Sequence, residues 1–203
     1  MVNTLKIKSL YLSIPVAFVL WYFTFNTELS SFWFRLTLSS LILALLSVLS
    51  GGERNFKPNI YEGVLIVWVS ILLYILFWVL DFIAGFSSML REEIESVYKL
   101  ASGVNPVLIA LLLVVIAVCE ELFWRGFVSE ALLRKLDIIP AVLVASAFYS
   151  LVHIFTLNLS LVLAAFILGI IMNVLYVVTG KVSTTIYVHA IWSVLVFVVL
   201  PLA

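Results

Sequence analysis

The sequence is short of charged residues, cysteine and histidine. Asp, Glu, Lys and Arg make up 11% of its 203 residues, whereas soluble domains average about 25%. The single cysteine excludes an intrachain disulfide and any multi-cysteine zinc or iron–sulfur site. A formal net charge of zero gives no basic footprint for nucleic-acid binding. The chain is instead rich in apolar residues, at 65% hydrophobic with a mean hydropathy of +1.28, which indicates a polytopic membrane protein.

Long apolar runs predict seven membrane-spanning helices, since each span needs roughly 20 residues. The predicted spans are residues 9–25, 31–49, 60–84, 106–134, 139–155, 159–178 and 183–202. Between the third and fourth spans, residues 87–102 place apolar side chains at helical spacing among charges, which predicts an amphipathic interfacial helix. The helix lies at the interface or packs over the bundle, and it is either a solvated loop helix or a gate for substrate. The sequence therefore predicts an all-α transmembrane helix bundle that forms one integral membrane domain over residues 1–203.

The distribution of lysine and arginine predicts how the chain is oriented in the cell membrane. With the N-terminus in the cytoplasm, most of these residues flank cytoplasmic ends of spans. They are Lys6, Lys8, Arg54, Lys57, Arg134, Lys135 and Lys181. Only Arg91 and Lys99 fall in an outer loop, and Arg35 and Arg125 lie within spans. We therefore predict a cytoplasmic N-terminus and an outer C-terminus.

Several side chains near the ends of the predicted spans are expected to meet the membrane interface. Arg35 lies about one turn inside the second span, close enough for its long side chain to snorkel to the surface. Trp21, Tyr22 and Trp33 are typical of the aromatic belts that line both faces of a bilayer. None of these residues requires a cofactor.

Three charged residues lie inside the predicted fourth span. A charge near the centre of a bilayer costs at least a few kcal/mol, so such residues indicate a functional site. Glu121 and Arg125 are four residues apart and share one helix face, where they can pair. Glu120 points about 100° away from Glu121 and lacks a counter-ion on its own helix, which suits a general base or acid. The alternative is a charge cluster that only fixes helix packing.

Both histidines of the chain lie within predicted spans. His153 is near the end of the fifth span and His189 is about two turns into the seventh. A lone histidine in a bundle is more often a core residue, but two of them beside Glu120 favour a shared site. These three residues would make a three-ligand zinc site, or they can activate water without a metal. The helices must tilt or break for both histidines to meet Glu120.

Three motifs follow one another along the second half of the chain. They are Glu-Glu-x-x-x-Arg at Glu120, Glu121 and Arg125, an aromatic-x-x-x-His ending at His153, and His189-Ala190 preceded by Leu175-Tyr176-x-x-Thr179-Gly180. Together they resemble the CPBP family of intramembrane proteases, which includes the Rce1-type CAAX prenyl proteases and the bacteriocin-processing group. The resemblance covers roughly residues 104–197, which we take as the catalytic core.

The resemblance implies an endopeptidase that cuts a peptide bond near a membrane-embedded or lipid-modified, often C-terminal, segment of a substrate protein. Three pairs of residues carry the implied chemistry: Glu120 and His153 to activate water, His189 and Ser193 to stabilise the oxyanion, and Glu121 with Arg125 in support. The family has been argued to use glutamate chemistry and also a metal, so zinc on Glu120, His153 and His189 stays open. A sorting-type subgroup, which trims C-terminal anchors of surface proteins, fits the small size of the chain.

The chain departs from the family motifs at two positions. Tyr149 stands where the family usually has phenylalanine, four residues before His153. Ser193 stands where the family has asparagine or aspartate, and its hydroxyl reaches less far than a carboxamide. Either Ser193 suffices, or Asn173 of the sixth span substitutes, or activity is low, because one oxyanion donor is worth about a hundredfold or more in rate.

Two other classes of protein are compatible with these residues. A non-catalytic membrane scaffold or immunity-type protein of the same family would suit the departure at Ser193. A proton-coupled transporter would also use buried glutamate and histidine. The sequence shows no internal repeat, whereas many transporters are built from repeats, so the transporter is the weaker alternative.

Overall fold

The computed structural model of the protein describes residues 2–52 and 60–202, which form helices and no strand. The α-helices are α1 (Val2–Asn26), α2 (Phe32–Leu49), α3 (Ile60–Ala84), α4 (Ser88–Lys99), α5 (Pro106–Phe123), α6 (Glu130–Leu133), α7 (Ile138–Leu151), α8 (Leu159–Thr179) and α9 (Val182–Val194). Seven apolar stretches in these residues are long enough to cross a membrane, which confirms the predicted all-α bundle. Arg54 and Lys57, on which the predicted orientation partly depends, lie outside the described residues.

Three of the spanning segments contain irregular turns close to the residues predicted to form the site, and one of these is the π-helical turn Leu195–Val199 after α9. After α5 the chain continues through a π-helical turn, Trp124–Ser129, in which the Ser129 hydroxyl donates to the Trp124 carbonyl oxygen five residues earlier, at 2.8 Å. After α7 it tightens into a 3₁₀ turn, Val152–Thr156, which carries His153. π-Helical turns are frequent at functional sites, and a 3₁₀ stretch within a helix often marks a hinge. The sequence predicted that the helices tilt or break for the histidines to meet Glu120, and at His153 the helix changes to a 3₁₀ turn.

The helices pack around α5, which contacts α2 and α9, while α7 packs along α8. The second contact is close at Gly169 of α8. A Cβ atom at this position would lie 3.2 Å from the Cα of Ser146 and 3.2 Å from Cδ1 of Tyr149 on α7. Small residues allow this kind of approach between helices in a membrane. The absence of a side chain at Gly169 thus sets the position of Tyr149.

Arg35 does not snorkel to the surface, and that expectation is wrong. Its side chain is buried, with Nε donating to the Thr24 carbonyl oxygen at 3.0 Å and Nη1 donating to the Ser30 carbonyl oxygen. The last carbonyls of a helix have no partner within the helix, and the guanidinium donates to one of them, that of Thr24 in α1. It also donates to the Ser30 carbonyl in the turn between α1 and α2. Trp21 and Trp33 are also buried and do not form an interfacial belt.

The amphipathic helix α4 is docked on the bundle. The carboxylate of Glu93 accepts hydrogen bonds from the backbone amides of Leu159 and Ser160 at the start of α8, at 3.1 and 2.8 Å. The Tyr98 hydroxyl donates to the Val196 carbonyl oxygen at 2.8 Å. These contacts join α4 to the C-terminal helices, so α4 is part of the folded bundle and not a detached loop helix.

Candidate active site

A largely apolar cavity of about 410 Å³ lies beneath α4, and segments from α1 to α9 form its walls. The apolar face of α4 covers one side with Leu90, Ile94 and Val97. The polar residues on its wall include four that the sequence predicted to share a site: Glu120, His153, His189 and Ser193. Their side chains come from α5, the 3₁₀ turn after α7, and α9. The structure therefore brings side chains from three spans together at the wall of one cavity.

Glu120 lies on the cavity wall with 5% of its surface exposed. One of its carboxylate oxygens, Oε2, accepts a hydrogen bond from the Tyr149 hydroxyl at 3.1 Å. Glu120 has no ion pair among the described residues, so its partner is neutral. This matches the expectation that Glu120 lacks a counter-ion on its own helix, while the hydroxyl from α7 was not foreseen.

Glu121 is fully buried, and its carboxylate bonds both to the guanidinium of Arg125 and to the imidazole of His189. Its Oε1 accepts from Arg125 Nη1 at 2.7 Å, which is the predicted i,i+4 pair, and from His189 Nδ1 at 2.8 Å. Arg125 is also fully buried and lies over the ring of Tyr149, 4.8 Å from the centroid. Because Nδ1 of His189 is bonded to Glu121, Nε2 is the ring nitrogen left for a ligand in the cavity.

His153 is bonded to the protein through both ring nitrogens. Nδ1 lies 3.0 Å from the Tyr149 carbonyl oxygen, and Nε2 lies 3.2 Å from the indole Nε1 of Trp21 on α1. An indole nitrogen only donates, so Nε2 accepts and the ring proton sits on Nδ1. Sequence reasoning missed Trp21, which carried no signal other than an aromatic side chain in the first span. Tyr149 did carry a signal, since it lies one turn before His153.

Asn173 does not line the cavity, whereas Ser193, which stands at the position of the family asparagine, does. Its Oδ1 accepts from the Ser129 hydroxyl, and its Nδ2 donates to the Ser146 hydroxyl at 2.9 Å. The side chain is 2% exposed and thus links α8 to the π-helical turn and to α7. Such interhelical hydrogen bonds orient packing in membranes. This arrangement gives no support to Asn173 as a substitute for the family asparagine.

The residues considered as zinc ligands do not form a ligand group as they are arranged. Within residues 2–52 and 60–202, no three side chains of His, Cys, Asp or Glu are placed to hold a metal ion. Both nitrogens of His153 and one of His189 are already bonded within the protein. A metal would require these bonds to rearrange, so we derive no catalytic step from one.

The fold and the cavity define a class of protein: a multi-pass membrane protein with a buried carboxylate and two histidines at an internal apolar space. The family model described as "Rce1-like: Type II CAAX prenyl endopeptidase Rce1-like" matches residues 102–195. The matched part of the chain contains all six predicted site residues, and the match agrees with the CPBP resemblance. The match supports, at the level of the family, an intramembrane endopeptidase of the CAAX type. No curated protein and no solved structure matches the chain significantly.

Proposed function

We propose that the protein hydrolyses a peptide bond near a lipid-modified or membrane-embedded C-terminal segment of a substrate protein, with Glu120 as the general base. The observation that carries the proposal is the position of Glu120: a buried carboxylate on the wall of an apolar cavity that His153, His189 and Ser193 also line. Buried titratable groups in a cleft are candidates for catalysis, and the family match points to peptide-bond cleavage.

Amide hydrolysis needs a base for the attacking water, donors for the oxyanion and an acid for the leaving amine. Glu120 takes a proton from water and later returns it to the amine nitrogen as the C–N bond breaks. His153 orients the same water through Nε2, which must first release the indole of Trp21. His189 and Ser193 donate to the oxyanion.

Glu121 and Arg125 act from behind the cavity wall. Glu121 fixes the orientation of His189 by accepting from its Nδ1, and Arg125 compensates the charge of Glu121. A carboxylate bonded to one nitrogen of a histidine sets which tautomer the ring adopts. Neither residue needs to touch the substrate in this scheme.

The lining of the cavity supports an apolar group as part of the substrate. Most of the wall is aliphatic or aromatic, including Phe32, Trp33 and Leu168, so it offers few partners for a charged peptide. A lipid chain or an apolar peptide segment would be bound there by burial of hydrocarbon, at about 25 cal/mol per Å² of surface removed from water. The polar groups at Glu120 would then meet the peptide bond next to that segment.

The experiment uses the purified chain in detergent micelles and a fluorogenic peptide with an S-farnesyl cysteine three residues before its C-terminus. We expect cleavage by the wild type and loss of cleavage in Glu120→Gln and in His153→Ala. Glu28→Gln is the matched control because Glu28 is exposed at the turn between α1 and α2, and it should cleave normally. Each variant is checked for folding by thermal unfolding.

The outcomes separate the alternatives. Cleavage that survives Glu120→Gln contradicts the assignment of the base. A wild type that cleaves neither this peptide nor a transmembrane peptide without the farnesyl group supports a non-catalytic scaffold. Inhibition by a chelator, reversed by added zinc, would assign metal chemistry to a rearranged site.

We also propose that the N-terminus is cytoplasmic. The support is the distribution of lysine and arginine at the ends of the spans. The reaction of single introduced cysteines with a membrane-impermeant maleimide tests this orientation.

A further inference from the structure

Tyr149 occupies a position that the proposed mechanism does not use. It lies near the end of α7, is 4% exposed, and contributes to the wall of the cavity together with Glu120 and His189. Its hydroxyl donates to Glu120 Oε2 at 3.1 Å. The Tyr149 hydroxyl thus donates to Glu120, the residue that is proposed to activate water.

The ring of Tyr149 is fixed on several sides. The guanidinium of Arg125 lies over its face, and the rings of Trp124 and His153 meet it edge-on at centroid distances of 5.5 and 5.8 Å. Gly169 leaves room for it against α8. A side chain confined in this way offers its hydroxyl in one place, which is the preorganisation that oxyanion stabilisation requires.

Several other strong donors near the cavity are committed elsewhere, whereas the indole Nε1 of Trp192 on the cavity wall has no hydrogen-bond partner among the described residues. Arg125 donates to Glu121 and, at 3.5 Å, to the Gly169 carbonyl oxygen. The amide of Asn173 donates to Ser146. His189 has one nitrogen on Glu121. The hydroxyl of Tyr149 is bonded to Glu120 alone among the described residues, and Glu120 must accept a water to act as a base.

We propose that Tyr149 is a catalytic residue of this site, a third oxyanion donor beside His189 and Ser193. The proposal rests on the hydrolytic function proposed above. When water and the scissile carbonyl enter, water takes the place of the phenol on Glu120. The phenolic O–H then donates to the carbonyl oxygen as the water oxygen bonds to the carbon and the C=O π electrons move to that oxygen. The phenol keeps its proton throughout, so the step needs no further reactant.

The test is Tyr149→Phe, which removes the hydroxyl and keeps the ring beneath Arg125. We expect kcat for the farnesylated peptide to fall about a hundredfold, the effect of losing one oxyanion donor, with KM unchanged. The affinity for a phosphinate analogue of the same peptide, which carries a tetrahedral oxyanion, should fall by a similar factor. Thermal unfolding establishes that the variant is folded.

Tyr176→Phe is the matched control. Tyr176 is also buried, and its hydroxyl donates to a carboxylate, Glu130 Oε2, at 2.8 Å, but it does not line the cavity. This variant loses the same kind of bond and should keep the kcat and phosphinate affinity of the wild type. If both variants lose activity alike, the effect is structural and the proposal is overturned.

The readouts also distinguish this proposal from a role in positioning Glu120, and from failure of the proposed function. If kcat falls in Tyr149→Phe while phosphinate affinity does not change, the hydroxyl acts only through Glu120 and the proposal is overturned. Equal cleavage by Tyr149→Phe and the wild type also overturns the proposal for Tyr149 but leaves the proposed hydrolysis intact. An inactive wild type contradicts both proposals.

Should Tyr149→Phe unfold, 3-fluorotyrosine at this position keeps the ring and provides a more acidic hydroxyl. It should bind the phosphinate more tightly than the wild type, and unchanged affinity would overturn the proposal.

Discussion

At the scale of single residues, the buried pair of Glu121 and Arg125 makes either partner costly to replace alone. Both side chains are fully buried, and Glu121 Oε1 is shared between Arg125 and His189. A buried ion pair contributes little net stability by itself, because the desolvation of both charges offsets their attraction. Removing one partner leaves the other charge buried without compensation, which is strongly destabilising.

Arg125→Met should therefore lower the free energy of unfolding by about 3–5 kcal/mol. The double variant Glu121→Gln with Arg125→Met should lose less, since no uncompensated charge remains. Unfolding by SDS titration in mixed micelles measures both. Arg134→Met is the control, because its pair with Glu130 is partly exposed and such pairs are worth about 0–1 kcal/mol. A loss in Arg125→Met no larger than in the control would contradict this account.

The sequence predicted contacts within one helix better than contacts between helices. The pair of Glu121 with Arg125 follows from a spacing of four residues. The bond from Tyr149 to Glu120, and that from Trp21 to His153, depend on how two helices approach each other in space. No periodicity within one helix contains that information. The error at Arg35 has the same origin, because its carbonyl partners belong to the preceding helix and turn.

At the scale of the elements, the docking of α4 depends on a carboxylate at a helix N-terminus. Glu93 accepts from the Leu159 and Ser160 backbone amides and from the Ser160 hydroxyl. Burial acts to raise the pKa of Glu93, but these hydrogen bonds outweigh it and hold the pKa below the usual value of 4.5. A negative charge is also favourable near the first turn of a helix.

The contact of Glu93 should consequently depend on pH. Because the pKa is lower in the folded state, the contact stabilises the protein above pH 4.5 and is lost as the pH falls through the folded-state pKa. Glu93→Gln should mimic that loss at neutral pH and speed amide hydrogen exchange in α4, measured by mass spectrometry. Glu92→Gln is the control, as Glu92 is exposed on the same helix. Equal exchange in the two variants would refute the docking role of Glu93.

The close approach of α7 and α8 gives a second prediction for the elements. A Cβ at Gly169 would lie 3.2 Å from backbone and side-chain atoms of Ser146 and from the Tyr149 ring, so Gly169→Ala requires a shift of α7. We expect a loss of about 1–3 kcal/mol in unfolding free energy, as for other overpacked sites. Cleavage should slow as well, because Tyr149 moves.

Gly63→Ala in α3 is the control for this substitution. No atom lies within 4 Å of a Cβ at Gly63, and alanine in a helix interior is favoured over glycine by roughly 0.5–1 kcal/mol. Gly63→Ala should hold or raise stability when both are measured by the same SDS titration. A Gly169→Ala variant as stable and active as the wild type would show that α7 and α8 tolerate separation.

The helices themselves were predictable, but their irregular turns were not. A run of apolar residues reveals a span because its length must match the membrane. The π turn at Trp124–Ser129 and the 3₁₀ turn at Val152–Thr156 change the hydrogen-bond pattern over only one turn each. Apolar residues satisfy either pattern, so composition does not distinguish them. The need for a break near His153 came instead from the requirement that His153 meet Glu120.

At the scale of the whole molecule, the orientation in the membrane is open to direct test. Cys119 is the single cysteine and is buried, so a Cys119→Ala background accepts one new cysteine at a chosen position. With a cytoplasmic N-terminus, Glu28→Cys should react with a membrane-impermeant maleimide on intact cells. Leu136→Cys, at the exposed turn before α7, should react only after permeabilisation. The reverse labelling pattern would contradict the predicted orientation.

The class of the molecule was predictable from composition, whereas the cavity was not. Apolar content and span lengths led to a helix bundle, and the charges inside a span led to a site. The shape and lining of an internal space of about 410 Å³ depend on helices that are distant in sequence, including α2 and α4. The sequence predicted that residues converge there, but not what encloses them.

The contact between Trp21 and His153 has a practical corollary for anyone who wishes to shorten the chain. Trp21 belongs to α1, and Phe25, Phe32 and Trp33 of the cavity wall also precede residue 102, where the family match begins. A truncated version that keeps only the matched segment would retain every residue of the three motifs. It would nonetheless leave the imidazole without its indole neighbour and open the pocket to the surrounding detergent or lipid. The N-terminal helices therefore complete the wall of the cavity, and we expect a chain shortened to the matched segment to lose the proposed cleavage.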